Sequence, residues 1–154
     1  MDFIPEKDAS GLIPSVLAQI LDTCVNGVTL SDPDLPDNPI VYANTVFEHM
    51  TGYTRAEIIG HNCRFLQGED REQPAIEAIR KALTERREVE VTLRNYRKDG
   101  TLFHNRLNIR PLFDASGRLI YFLGVQYDVT DLVNARTEVA RLEALLRQGA
   151  SQPG

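Results

Sequence analysis

Apolar residues recur along the chain with two periods, and the places where one period gives way to the other divide it into elements. Leu12, Ile13, Val16, Leu17, Ile20 and Leu21 fall at helical spacing, with Pro14 tolerable in a first turn, which predicts a short helix over 13–23. Val28 and Leu30 then alternate with Gly27 and Thr29. The run DPDLPDNP at 32–39 predicts an exposed loop before a strand at IVYA, 40–43, so these two strands make an opening hairpin with a long connection. From Asn44 to Thr84 the pattern is one of short helices. Asn44 and Thr54 can N-cap, Thr54 with Glu57 makes a capping box, and Gly52, Gly60 and Gly68 punctuate the segment. The longest helix, about 72–84, has Ile76, Ile79 and Leu83 on one face and closes on Arg86 and Arg87. Residues 88–97, 101–113 and 118–128 are β-rich runs separated by the turn sequences KDG and DASG, and predict an antiparallel meander. The tail from Val129 to about Gln148 reads as a helix. The order predicts an α+β domain in which a five-stranded antiparallel sheet carries short helices on one face, with helical extensions at both ends. Residues 1–24 then form an N-terminal cap helix, 25–128 the core, and 129–154 a C-terminal, coiled-coil-like helix and tail.

Composition narrows the function classes. Of 154 residues, 42% are hydrophobic and 25% charged, a balance that supports one packed core. No apolar run approaches the ~18 residues that span a bilayer, and no basic-then-apolar start follows Met1, so the expected location is the cytoplasm, with no membrane partner. A net charge of -5 argues against nucleic acid as a partner. Cys24 and Cys63 stand in no metal-like spacing, so no metal site is expected and each thiol is judged alone.

Parity along the last three strands gives the first chemical clue. Val89, Val91 and Leu93 define an apolar row whose next member is Asn95. Phe103, Leu107 and Ile109 share a face with Asn105, and Ile120, Phe122 and Gly124 share theirs with Gln126. Taken singly, each amide more simply braces a loop or a helix end. Three projecting from adjacent strands into one apolar interior need a polar partner, since each unpaired buried group costs ~1–3 kcal/mol. Carboxamides offer donor and acceptor together, which matches a flat heterocycle with a uracil-like edge such as a flavin ring.

The segment GHNCRFLQG, 60–68, forms a Gly-bounded turn of helix with Cys63 and Leu66 on one side and Arg64 and Gln67 on another. Arg64 and Arg80, with Arg71 between them in sequence, can make a cationic clamp for a phosphate. The plainer readings are that Cys63 is a small buried hydrophobe and that the arginines are ordinary surface residues.

NCRFLQ at 62–67 resembles the signature of light-oxygen-voltage (LOV) domains, the blue-light-sensing, flavin-binding branch of the PAS family, and the chain is similar to a short bacterial member. The resemblance extends through TGYTRAEIIG at 51–60, NYRKDG at 95–100, Asn105 in FHNRL and Gln126 in FLGVQYD. It implies a PAS/LOV fold and a non-covalently bound flavin mononucleotide (FMN), to whose ring carbon C4a the Cys63 sulfur adds reversibly on illumination. By motif position it implies that Asn62 and Gln67 hold the ribityl chain, Arg64 and Arg80 the phosphate with Arg71 as an additional contact, and Asn95 and Asn105 the pyrimidine edge. The resemblance also implies that Gln126 lies near O4 and N5, where it is expected to switch its hydrogen bond when N5 gains a proton. Val28, Leu66, Leu107 and Phe122 are expected to line the ring.

Tyr121, Leu123, Val125 and Tyr127 make the opposite face of the last strand too apolar for water, and Leu132, Ala135, Val139, Leu142 and Leu146 give the terminal helix an a/d stripe. A homodimer through the sheet face and terminal helices covers both, with an unidentified downstream protein as a second route of output. The alternative is a helix folded back on its own sheet. The expected role is a sensor, not an enzyme. Competing classes are a PAS small-ligand or redox module without cysteine photochemistry, including haem held by His61 or His104, and a thiol enzyme using Cys63.

Overall fold

The computed structural model describes residues 15–151; residues 13 and 14 of the predicted first helix, and the tail after 151, lie outside the described residues. Helix α1 (Ser15–Asp22) leads into strands β1 (Gly27–Ser31) and β2 (Ile40–Ala43), which pair antiparallel as the predicted hairpin. Helices α2 (Thr45–Thr51) and α3 (Arg55–Ile58), a 3₁₀ helix (Cys63–Gln67) and α4 (Pro74–Glu85) follow. Strands β3 (Val89–Tyr96), β4 (Leu102–Phe113) and β5 (Leu119–Asp128) come next, and α5 (Thr130–Ser151) closes the described chain. The sheet order is β2-β1-β5-β4-β3, all antiparallel, so the last strand lies at the centre between the first and the fourth.

The caps act as the sequence predicts, and one has a second task. Asn44 accepts from the Phe47 backbone to start α2 and also from the Val28 backbone (2.9 Å), tying the helix to β1. Thr54 and Glu57 form the capping box of α3. Helix α4 begins two residues later than predicted, with Pro74 in its first turn, and ends at Arg86, a non-glycine residue in the left-handed region (φ 54°).

Beneath the short helices, Ile40, Phe47, Ile58 and Leu66 form one apolar cluster, and Leu93, Leu107, Ile109 and Phe122 meet Ile76, Ile79 and Leu83 of α4 in another. Across the sheet, Leu30, Tyr42, Ile120 and Tyr121 are covered by Ala18 and Leu21 of α1. Ile120 therefore departs from the predicted parity. Leu112 pairs with Tyr121 while Phe113 pairs with Leu119, leaving Ile120 as the extra residue of a bulge, which turns it to the outer face and puts Leu119 in the Phe122 cluster.

The cover over Tyr121 is thus α1. Helix α5 meets the sheet chiefly at β4 and is otherwise exposed, with Val139 at 53% and Leu146 at 73% exposure, so it does not fold back over the outer face. Its root is held firmly. Asp128 accepts from the Thr130 backbone and hydroxyl and from Arg97 (3.0 Å), while Arg97 also donates to the Met50 carbonyl (2.8 Å). The Thr130 hydroxyl in turn accepts from the His104 backbone (2.9 Å).

Candidate functional site

Between the sheet and the short helices lies a cavity of about 270 Å³. Strands β3, β4 and β5 bring Asn95, Asn105, Leu107, Phe122 and Gln126 to one wall, because residues two apart on a strand share a face and the three strands pair in register. The 3₁₀ helix supplies the facing wall. With three residues per turn it stacks Cys63 with Leu66 and Arg64 with Gln67, and all four border the cavity.

The amides are only partly satisfied by one another. Asn105 Nδ2 donates to Asn95 Oδ1 (3.0 Å), whose own Nδ2 donates to the Arg94 carbonyl (3.1 Å). Gln126 Nε2 donates to the Thr29 hydroxyl (3.2 Å). This leaves Asn105 Oδ1 and Gln126 Oε1 buried with no hydrogen-bond partner, on residues only 2% and 3% exposed. Two buried acceptors on one apolar wall each cost ~1–3 kcal/mol unless a ligand donor meets them.

Burial pushes the Cys63 thiol above its ordinary pKa, and the adjacent Arg64 charge opposes this only in part. Cys63 packs against the Ile40, Phe47 and Leu66 cluster as a protonated thiol, the opposite of the thiolate a nucleophilic enzyme needs. No His or Lys is among the described residues that line the cavity. His61 and His104, the haem candidates, both lie off it, with His104 on the outer face of β4 beside the α5 root.

Arg64, Arg71 and Arg80 all border the cavity. Arg64 pairs with Asp37 and Arg80 with Glu77, whereas Arg71 is steadied by donating to the Gly68 carbonyl (3.1 Å). Asn62 also borders it, but both ends of its amide are engaged: Nδ2 on the Asp37 carbonyl (2.7 Å) and Oδ1 on the Arg64 backbone (3.0 Å). Gln67 is buried on the same wall.

One predicted lining residue is elsewhere. Val28 pairs with Val125 and faces the other side of the sheet, and its neighbours Thr29 and Ser31 face the cavity instead. Every residue of β1 from Gly27 to Leu30 is buried, so hydrophobicity does not distinguish its two faces. Thr29, Ser31, Asn38 and Gly124 are cavity residues the sequence reading missed. Gly124 had a signal, a glycine inside a central strand: a Cβ there would come within 2.6 Å of the Thr29 hydroxyl and 2.9 Å of Gln126 Nε2.

These residues fit a flavin by their own chemistry: orphaned acceptors and donors for a polar ring edge, apolar walls for its faces, and guanidinium groups for a phosphate. A family profile described as a PAS domain matches residues 25–131. A protein of Listeria innocua named as a blue-light photoreceptor is 44% identical over 126 residues, covering 82% of this chain and 49% of its own length. Its Listeria monocytogenes counterpart is matched over 53% of its length, so the chain spans about half of these relatives. Among solved structures, a LOV domain studied with a flavin analogue is 43% identical with a TM-score of 0.71, covering 83% of this chain and 96% of that one. An RNA-binding LOV receptor is 33% identical with a TM-score of 0.78, covering 99% of this chain and 43% of that one. With the profile spanning most of the chain and a whole LOV domain matched end to end, the chain belongs to the PAS family, in its light-oxygen-voltage branch.

Proposed function

We propose that this domain senses blue light through non-covalently held FMN and the Cys63 thiol. The observation that carries the reading is the meeting, in one apolar cavity, of a protonated thiol and two orphaned carboxamide oxygens, Asn105 Oδ1 and Gln126 Oε1. Asn95 and Asn105 read the pyrimidine edge, Leu66, Leu107 and Phe122 sandwich the ring, and Asn62 and Gln67 border the ribityl chain. Arg64, Arg71 and Arg80 take the phosphate, with Asp37 and Glu77 giving up part of their hold on two of them. When bound, the flavin would supply visible absorption and, in its excited state, an electrophilic ring carbon (C4a); Cys63 would contribute the sulfur that bonds there and the thiol proton taken up by N5, both returned in the dark. The thiol must therefore keep its proton in the dark, and its burial does this.

Gln126 is the switch. Its amide offers Nε2 to an acceptor or Oε1 to a donor by rotating, and Thr29 biases that choice. Because Gln126 lies two residues before Asp128, the rearrangement is passed to the α5 root. Output then runs through a homodimer formed by the outer sheet face and terminal helices, or through an unidentified protein. We propose a cytoplasmic sensor, not an enzyme, with no nucleic-acid or membrane partner. The net charge of -5 argues against a nucleic-acid partner, and no described helix is long and apolar enough to cross a membrane.

Absorption spectra before and after blue light test the reading. The purified protein is expected to be yellow, to bleach and to recover in the dark, while Cys63→Ala keeps colour and fluorescence but does not bleach. Protein that stays colourless with excess FMN overturns it. Gln126→Leu is expected to bleach yet lose the light-driven change at α5, measured by a spin or fluorescence label on that helix; an undiminished change rejects the switch.

A further inference from the structure

The loop between β1 and β2, residues 32–39, does more than connect the hairpin. Its base is closed by the Asp32 backbone on the Pro39 carbonyl (3.0 Å), Asp32 Oδ1 accepts from the Asp34 backbone (2.9 Å), and Arg118 holds the Asp34 carboxylate (2.8 Å). At the far end Asn62 and Arg64 grip Asp37 from the 3₁₀ helix, through its carbonyl and its carboxylate. Asp37 and Asn38 are successive residues with positive φ, 68° and 47°, a backbone choice that costs energy at each and turns Asn38 toward the cavity it borders. Asn38 Oδ1 is buried and has no hydrogen-bond partner. Among the described residues it is the third orphaned acceptor on this cavity, and neither the loop's composition nor the LOV signature points to it.

Resting on the flavin reading above, we propose that Asn38 is a chromophore-contacting residue whose carboxamide oxygen accepts a hydroxyl of the ribityl chain. The choice of partner follows from chemistry. A phosphate anion carries acceptors and would not satisfy an acceptor oxygen, and the loop's anchors are Asn62 and Arg64, away from the ring-edge amides of β3, β4 and β5. What remains between ring and phosphate is a polyol, which supplies hydroxyl donors. Asn38 then ties the β1–β2 loop to the ligand as a strap across the cavity mouth.

The test is Asn38→Gly, because glycine accepts the left-handed backbone while removing the side chain that carries the amide. Dissociation constants of protein stripped of ligand are measured by fluorescence titration with FMN, riboflavin (no phosphate) and lumiflavin (no ribityl chain). The expected result is a roughly three- to tenfold weakening for FMN and riboflavin and none for lumiflavin. Asn38→Asp, which keeps an acceptor oxygen, is expected to hold riboflavin as wild type does. Equal weakening for all three ligands, no weakening at all, or an Asp variant as weak as Gly toward riboflavin overturns the assignment while leaving the flavin reading intact. A wild-type protein that binds none of the three overturns both.

Discussion

At the scale of single residues, the cavity turns on contacts around Gln126 that involve no charge. Gly124 gives the Thr29 hydroxyl and Gln126 Nε2 room to meet, with a missing Cβ that would clash with both. Gly124→Ala is expected to destabilise the protein by ~1–3 kcal/mol through overpacking and to lower flavin occupancy, as read by urea unfolding and the ratio of flavin to protein absorbance. Thr29→Val keeps the shape but strands a buried donor, and is expected to cost ~1–2 kcal/mol and to change the dark-recovery rate. An unchanged rate means Thr29 does not bias the amide. Asn95, Asn105 and Gln126 were legible because strand parity alone puts them on the core face. Thr29 was not, because β1 is buried on both sides and its apolar residues select the wrong face.

At the scale of elements, the segment from the 3₁₀ helix to α4 is pinned to the edge strand β3 by one carboxylate and one amide. Asp70 accepts from Arg94 at 2.7 and 2.9 Å and from Tyr96 at 2.8 Å, which holds its pKa at about 2. Gln73 exchanges hydrogen bonds with the Arg94 backbone at 2.8 and 3.0 Å. A depressed folded-state pKa means that this stabilisation is complete above the unfolded value near 3.9 and is lost as pH falls through about 2. The urea midpoints of wild type and Asp70→Asn are therefore expected to differ at pH 5 and to converge between pH 4 and pH 2. A constant difference means that the variant acts by packing. The helices and strands were legible to within about three residues from caps, glycines and period, the largest difference being the end of α5 at Ser151. The start of α4 was set by Pro74, and the bulge at Ile120 left no mark in a run where every residue from Leu119 to Leu123 is apolar or aromatic.

At the scale of the whole molecule, α1 covers part of the outer face and α5 projects with Leu132, Val139, Leu142, Leu145 and Leu146 exposed. A second copy is the proposed cover for that stripe, and Leu142→Glu is expected to shift light scattering from dimer to monomer while leaving the absorption spectrum unchanged; a wild-type monomer at every usable concentration removes the dimer. The sequence by itself determined the elements, the sheet's direction of pairing and the inward row of amides, because periodicity, caps and turn chemistry act over a few residues and need no distant partner. Only the tertiary structure decided which face of β1 meets the cavity, where β5 bulges, that α1 instead of α5 covers Tyr121, and that Asn38 joins the cavity wall. Those outcomes depend on which surfaces far apart in the chain compete to exclude water from the same side of the sheet, and no local pattern encodes that competition.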